Sequence, residues 1–296
     1  MTNWLEKIPC VYQKSILGTI QQALTEDIGT GDLTTLATIP TEAVGTGTFT
    51  VKSDGIIAGL AVVGLVFQEL DRSLHFFPRV TDGKQVTTGT IIATIKGPVC
   101  NILSGERTAL NFLQRMSGIA TYTYYLTRKV AHTRCKLLDT RKTAPGLRMT
   151  DKWAVMLGGG SNHRIGLFDM VLIKDNHIKM AGSITAAVNQ ARRFLSTNHL
   201  DEKITIEVEV KSIEELKEAL ELNVDRIMLD NMDLDALYQA VELVGGTIPL
   251  EASGNIKGDT IRQVAETGVD YISSGALTHS VTALDISLML ELKKYQ

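Results

Sequence analysis

The spacing of apolar positions divides the chain into two zones. In the first, to about Ala120, a helical period runs from Tyr12 to Leu24. Short alternating runs follow, among them Gly47–Val51 and Thr90–Ile95, bounded by the turn pairs Asp54-Gly55 and Asp82-Gly83. Alternation between turns predicts antiparallel strands. A second helix is predicted over Asn101–Met116, with Leu103, Leu110 and Leu113 as its apolar stripe. Arg107 falls one helical turn from both Leu103 and Leu110, which sets it on or beside that stripe. An arginine so placed needs a partner. The candidates are an internal carboxylate (Glu106 or a distant one), an anionic ligand, or a second subunit.

From about Thr121 onward, short apolar runs alternate with amphipathic helical stretches. The runs are Cys135–Asp139, Met170–Lys174, Ile204–Val210, Arg226–Asp230, Ile248–Glu251 and Tyr271–Ser273. Helices are predicted at Ser212–Leu222, opened by a Ser212/Glu215 capping box, and at Leu234–Leu243. Strand–helix alternation predicts parallel strands with right-handed crossovers, hence an open sheet or a barrel. Every run ends in polar residues: Asp139, Arg141 and Lys142; Lys174 to His177; Glu207 and Glu209; Asp230 and Asn231; Glu251, Ser253 and Asn255; Ser273 and Ser274. The C-terminal ends of parallel strands share one rim, where barrel enzymes carry their active sites.

A net charge of −3 argues against nucleic-acid binding, so a local basic cluster calls for another partner. Arg141, Lys142 and Lys174, with Arg148, Lys152, His163 and Arg164 from the connection after the first run, imply a small polyanion. Glu207 and Glu209, two residues apart in an alternating run, project to one face. With Asp230 and Glu251 they suit Mg²⁺ held jointly with ligand oxygens, or ribose hydroxyls. The turns Ser253-Gly254-Asn255 and Ser273-Ser274-Gly275-Ala276 offer backbone N–H groups to a phosphate. Gly158-Gly159-Gly160 matches no nucleotide-binding glycine motif and reads as a flexible segment that lets His163 and Arg164 reach the rim. Cys10, Cys100 and Cys135 are too far apart for a zinc motif and read as buried free thiols. The longest apolar run, Ile56–Phe67, is too short to span a bilayer, and the N-terminus lacks a signal pattern, so a cytoplasmic enzyme with no membrane partner is expected. No nucleophile–base pair stands out; Lys174 as a Schiff-base lysine is the alternative chemistry.

Longer stretches carry a resemblance. They are Ala23–Thr34 (ALTEDIGTGDLT), Gly105–Gln114 (GERTALNFLQ), Ser117–Thr121, the long Asp139–His177 segment, Glu251–Asn255 (EASGN) and Ser274–Thr278 (SGALT). In these the chain resembles the bacterial-type quinolinate phosphoribosyltransferases almost end to end. Trp153, Met116 and Ser274 depart from the family's usual Tyr, Leu and apolar residue, and no charged site residue is lost. The resemblance implies an α/β fold: an N-terminal α/β sandwich with an antiparallel sheet (1–120) and a C-terminal incomplete, TIM-like α/β barrel (121–296), with a last helix able to pack back on the first domain. It implies an obligate homodimer, higher assembly left open, in which the first domain of one subunit covers the barrel mouth of the other. Arg107 from the partner, Arg141, His163 and Arg164 would then surround the two carboxylates of quinolinate, with Thr140 in the same set. Lys142 and Lys174 would serve the phosphates of phosphoribosyl pyrophosphate. Glu209 and Asp230 would face the ribose and Mg²⁺, directly or through water. Lys142, Lys174, Glu209 and Asp230 form the implied catalytic set, and Ser253, Gly254, Asn255, Ser274, Gly275 and Ala276 the 5′-phosphate grip. The implied reaction is phosphoribosyl transfer to quinolinate with decarboxylation, giving nicotinate mononucleotide, pyrophosphate and CO₂ in NAD biosynthesis. A phosphoribosyltransferase with another aromatic acceptor, or a non-catalytic binding protein, are the rival readings.

Overall fold

The structure, a computed structural model, describes residues 2–292. Its first elements are α1 (Cys10–Ile28), α2 (Leu33–Thr38), β1 (Val44–Val51), β2 (Gly55–Ile56), α3 (Leu60–Leu70), β3 (His75–Pro78), β4 (Gln85–Val86), β5 (Ile91–Pro98) and α4 (Val99–Val130). Then come β6 (Lys136–Leu138), α5 (Arg148–Leu157), β7 (Val171–Ile173), α6 (Asp175–Ala181), α7 (Ile184–Thr197), β8 (Ile206–Val210) and α8 (Ile213–Glu221). The last are β9 (Arg226–Asp230), α9 (Leu234–Val244), β10 (Leu250–Ser253), α10 (Ile261–Glu266), β11 (Tyr271–Ser273), α11 (Ala276–His279) and β12 (Ile286–Leu292). They pack as two units, Met1–Tyr124 with Thr143–Gly159 and Thr278–Gln296, and Tyr125–Lys142 with Gly160–Leu277.

In the first unit an antiparallel sheet runs β12-β1-β5-β3. Alternate residues of β1 are buried, as its sequence period requires. The run from Ile56, apolar on every side, supplies α3, whose residues Leu60 to Phe67 are all buried. Phe67 meets Phe49 of β1 and Phe76 of β3 at ring separations of 6.4 Å. Helix α4 runs on to Val130, past the expected end at Met116. Its buried face centres on Ile102, Ala109, Leu113 and Met116, and Leu103 is only half-buried. Arg107 therefore points away from the core and is exposed, which corrects the placement on the buried face. The last described element is a strand where a helix was expected: Ile286–Leu292 alternates in burial at its start and pairs antiparallel with β1.

In the second unit all six apolar runs are parallel strands, in the order β6-β11-β10-β9-β8-β7. No ladder joins β6 to β7 among the described residues, so the sheet with its helices is an incomplete barrel. The Ser212 hydroxyl caps α8 by accepting from the Glu215 N–H at 3.2 Å, while the Glu215 carboxylate turns to the Lys211 N–H at 2.7 Å.

Two further expectations are corrected. Gly158, the first of the glycine run, is packed: a Cβ there would lie 2.4 Å from the Ala120 carbonyl, so glycine is there for close approach, while Gly159 is exposed. Of the thiols, Cys10 is exposed and Cys100 partly so. Only Cys135 is buried, and burial, reinforced by the charges of Asp270 and Glu251, pushes its pKa up to about 12.

One ion pair stitches the first unit. Arg115 of α4 donates Nε and Nη2 to the two oxygens of Asp151 on α5, at 2.8 and 2.7 Å, and Asp151 is fully buried. Burial pushes the Asp151 pKa up against the pull of Arg115, so its charge depends on that arginine. Replacing Arg115 with Met leaves a buried carboxylate unpaired. Chemical denaturation is expected to show a loss of about 3–5 kcal/mol, with Arg115→Met/Asp151→Asn losing less than the single variant.

Candidate active site

The strand ends of the second unit enclose a pocket of about 500 Å³, a size that suits a small ligand. Thr140, Arg141 and Lys142 reach it from the segment after β6, His163 and Arg164 from the loop before β7, and Lys174 from the end of β7. Glu209 of β8 and Asp230 of β9 form its acidic side, and Ser253, Gly254 and Asn255 its far turn. Leu172, Met228, Asn231 and Ser273 complete the lining.

Local chemistry explains each placement. In β8 the two-residue repeat sends Glu207 and Glu209 to the same side. Glu209 accepts a hydrogen bond from the Lys174 ammonium. The Lys174 N–H donates to His177 Nδ1 at 2.9 Å, which closes the start of α6 and holds Lys174 at the strand end. The Asp169 carboxylate accepts from the N–H groups of Ile165 and Gly166, at 2.7 and 2.9 Å, and so turns the chain that carries Arg164. Arg164 is the electrostatic centre of the cation cluster. Burial and the neighbouring Arg141 charge depress its pKa, with partial relief from Glu207 and Asp169. Two guanidiniums that repel in a concave, partly desolvated site form a receptor for an anion with more than one charge.

On the opposite side the ends of β9 and β10 are clasped. The Asn231 N–H donates to the Ser253 carbonyl at 2.8 Å, and Asn255 Nδ2 donates to Asn231 Oδ1 at 3.1 Å. Asn231, Gly254 and Asn255 all adopt left-handed backbone, at φ 55°, 100° and 51°. Asparagine tolerates that region and glycine prefers it.

The pocket lining also marks where sequence reasoning fell short. Of the second glycine turn, Ser273 lines the pocket, and the Ser274 N–H donates to the Leu138 carbonyl at 3.0 Å. Arg148 and Lys152 belong to α5 in the first unit, and Lys152 is fully buried. Arg107, expected to serve a partner subunit's pocket and not its own, lies in the first unit and is exposed. Asn231 was visible as a rim residue, but nothing in its spacing distinguishes a clasp from a solvated end.

Two acidic groupings could be considered for a metal. Glu209 and Asp230 present hard oxygen donors to the pocket and fit a Mg²⁺ ion shared with ligand oxygens. His163, Glu207 and Glu251 lie together deeper, with donor atoms within 4.8 Å of one another. There the Arg226 guanidinium sits 3.1 Å from Glu251 and neither carboxylate lines the pocket, so that cluster does not suit a metal shared with a ligand. Burial pushes Glu207 and Glu251 each up to about pKa 7.

Comparison with known proteins decides the family. Residues 32–117 match the model of the quinolinate phosphoribosyl transferase N-terminal domain, and residues 119–289 that of its C-terminal domain. The chain belongs to the quinolinate phosphoribosyl transferase family. Among relatives of this family, it is 49% identical over 288 residues to the chloroplastic nicotinate-nucleotide pyrophosphorylase [carboxylating] of Oryza sativa subsp. japonica, covering 92% of this chain and 76% of that one. It is 48% identical over 290 residues to the mitochondrial quinolinate phosphoribosyltransferase [decarboxylating] 2a of Nicotiana tabacum, covering 93% and 82%. The crystal structure of NadC from Streptococcus pyogenes superposes with a TM-score of 0.88 at 40% identity, covering 94% of this chain and 96% of that one. An α/β fold with an antiparallel-sheet domain and a parallel-sheet domain is therefore the family's fold as well as this chain's.

Gly254 offers a direct test of the clasp in this family member. A Cβ there would fall 2.2 Å from Asn231 Oδ1 and 3.0 Å from its backbone nitrogen. Gly254→Ala is expected to destabilise by about 1–3 kcal/mol from backbone strain and collision. Calorimetric titration with ribose 5-phosphate, whose phosphate this turn is read to hold, is expected to show weaker binding than for the parent protein.

Proposed function

We propose that the protein transfers the phosphoribosyl group of phosphoribosyl pyrophosphate to quinolinate and releases CO₂, a step of NAD biosynthesis. The observation that carries this reading is the clustering of Arg141, Lys142, Arg164 and Lys174 in a pocket that also holds Glu209 and Asp230. A dicarboxylate relieves the first feature and a cationic sugar centre uses the second.

In this reading Arg141 and Arg164, with Thr140, clamp the two ring carboxylates and aim the pyridine nitrogen at the anomeric carbon, while His163 lines the pocket and, with its ring nitrogens turned to the Arg164 N–H and to the buried carboxylates, carries Arg164. Lys142 and Lys174 bind the pyrophosphate. As the bond from the anomeric carbon to pyrophosphate oxygen breaks, positive charge develops on the ribose, and Glu209 and Asp230 stabilise it. The nitrogen–carbon bond forms, leaving a cationic ring. That ring withdraws the electron pair of the adjacent carboxylate's carbon–carbon bond, CO₂ departs, and the ring carbon takes up a proton. Ser253, Gly254 and Asn255 hold the 5′-phosphate. Glu209 and Asp230 would hold Mg²⁺, which when bound neutralises charge on the pyrophosphate. Much of the acceleration is then positioning.

The reading includes a homodimer in which Arg107 completes the partner's pocket; its exposure on α4 supports that role. It includes a cytoplasmic location, testable by cell fractionation; no described helix is long and apolar enough to cross a membrane.

The deciding assay supplies phosphoribosyl pyrophosphate, Mg²⁺ and quinolinate, and follows nicotinate mononucleotide and CO₂ together, with nicotinate in parallel. Product from quinolinate alone is expected; none from quinolinate would refute the reading. Arg107→Ala is expected to keep the fold by circular dichroism and to lose about 100-fold or more in activity. Near-normal activity in that variant would rule out the shared site.

A further inference from the structure

Beneath the pocket lies a layer of charge that the reaction does not use. Glu207 of β8 and Glu251 of β10 are at most 1% exposed and do not line the pocket. Arg226, at the start of β9, lies between them, with Nη1 3.1 Å from Glu251 Oε2 and 4.0 Å from Glu207 Oε2. Its guanidinium rests 4.3 Å above the ring centroid of Tyr271 on β11. Both carboxylates then turn to one imidazole: His163 Nε2 is 3.0 Å from Glu207 Oε2 and 3.5 Å from Glu251 Oε2.

Packing alone does not call for this arrangement. Buried charges cost desolvation, and apolar side chains of similar volume often stabilise at least as well. What the charges supply is a fixed imidazole. His163 Nδ1 accepts from the Arg164 N–H at 2.7 Å, so the ring proton belongs on Nε2, the nitrogen that faces the two carboxylates. The His163 N–H is itself held by Asp139 Oδ1 at 2.8 Å. Ring and backbone are thus tied at the residue immediately before Arg164.

We propose that Glu207, Glu251 and Arg226 are positioning residues. They lock the His163–Arg164 corner from below and thereby set where the Arg164 guanidinium meets a ligand carboxylate, without touching the ligand. The ligand's identity rests on the function proposed above; the locked imidazole does not.

Two measurements test this. Long-range ¹H–¹⁵N spectra of the unliganded full-length protein are expected to show His163 as the Nε2–H tautomer, assigned by its loss in His163→Asn. The Nδ1–H tautomer would overturn the proposal, whatever the substrate. In kinetics, Glu251→Gln and Arg226→Met are expected to raise KM for quinolinate about tenfold or more while KM for phosphoribosyl pyrophosphate stays within about twofold. Arg226→Lys is expected to recover part of the loss. If both KM values and the melting temperature shift together, without recovery by Lys, the cluster is only structural and the proposal fails. Should the parent protein not use quinolinate, the functional reading fails, and the imidazole spectrum still decides this one.

Discussion

Arg141 and Arg164, held close with part of their hydration removed, repel each other, and much of the second unit's polar architecture restrains them. Glu207 and Asp169 draw on Arg164 electrostatically, and the Asp169 turn fixes the chain that carries it. An anionic ligand adds negative charge beside Arg164, where water screens poorly, and so offsets the push of the Arg141 charge.

The parallel sheet makes this arrangement possible. Strand ends converge, so residues distant in sequence meet without long flexible loops. Successive inward positions form layers. Arg226, Glu207 and Glu251 lie below, while Glu209 and Met228, and beyond them Asp230, Ser253 and Ser273, line the pocket. Cations gather at the ends of β6 and β7 and acids at the ends of β8 and β9, the division on which the proposed reading rests. The clasp of Asn231 and Asn255 closes the side opposite the arginines.

Much of this was legible in the sequence where one period dominates. The six apolar runs of the second unit are all strands because strand–helix alternation leaves few other topologies. Their polar ends meet because strand ends must. Legibility failed where tertiary approach decides. Arg107 was set on or beside the buried face from Leu103 and Leu110; Leu110 is buried, but Leu103 is only half-buried, and Arg107 is exposed. Gly158 resembled a flexible hinge, although its purpose is contact with the Ala120 carbonyl. Lys152 looked like a ligand-binding cation and is fully buried. The buried role of Glu207 was out of reach, since its partners Glu251 and Arg226 come from other strands.

The central claim is that one pocket reads a dicarboxylate on its arginine side and a phosphorylated sugar on the other. A crystal structure with quinolinate and a non-reactive phosphoribosyl pyrophosphate analogue tests it most directly. The account places the ring carboxylates against Arg141 and Arg164, and the 5′-phosphate at Ser253–Asn255. Carboxylates bound beside Glu209 and Asp230, or ligand density outside this pocket, would contradict it.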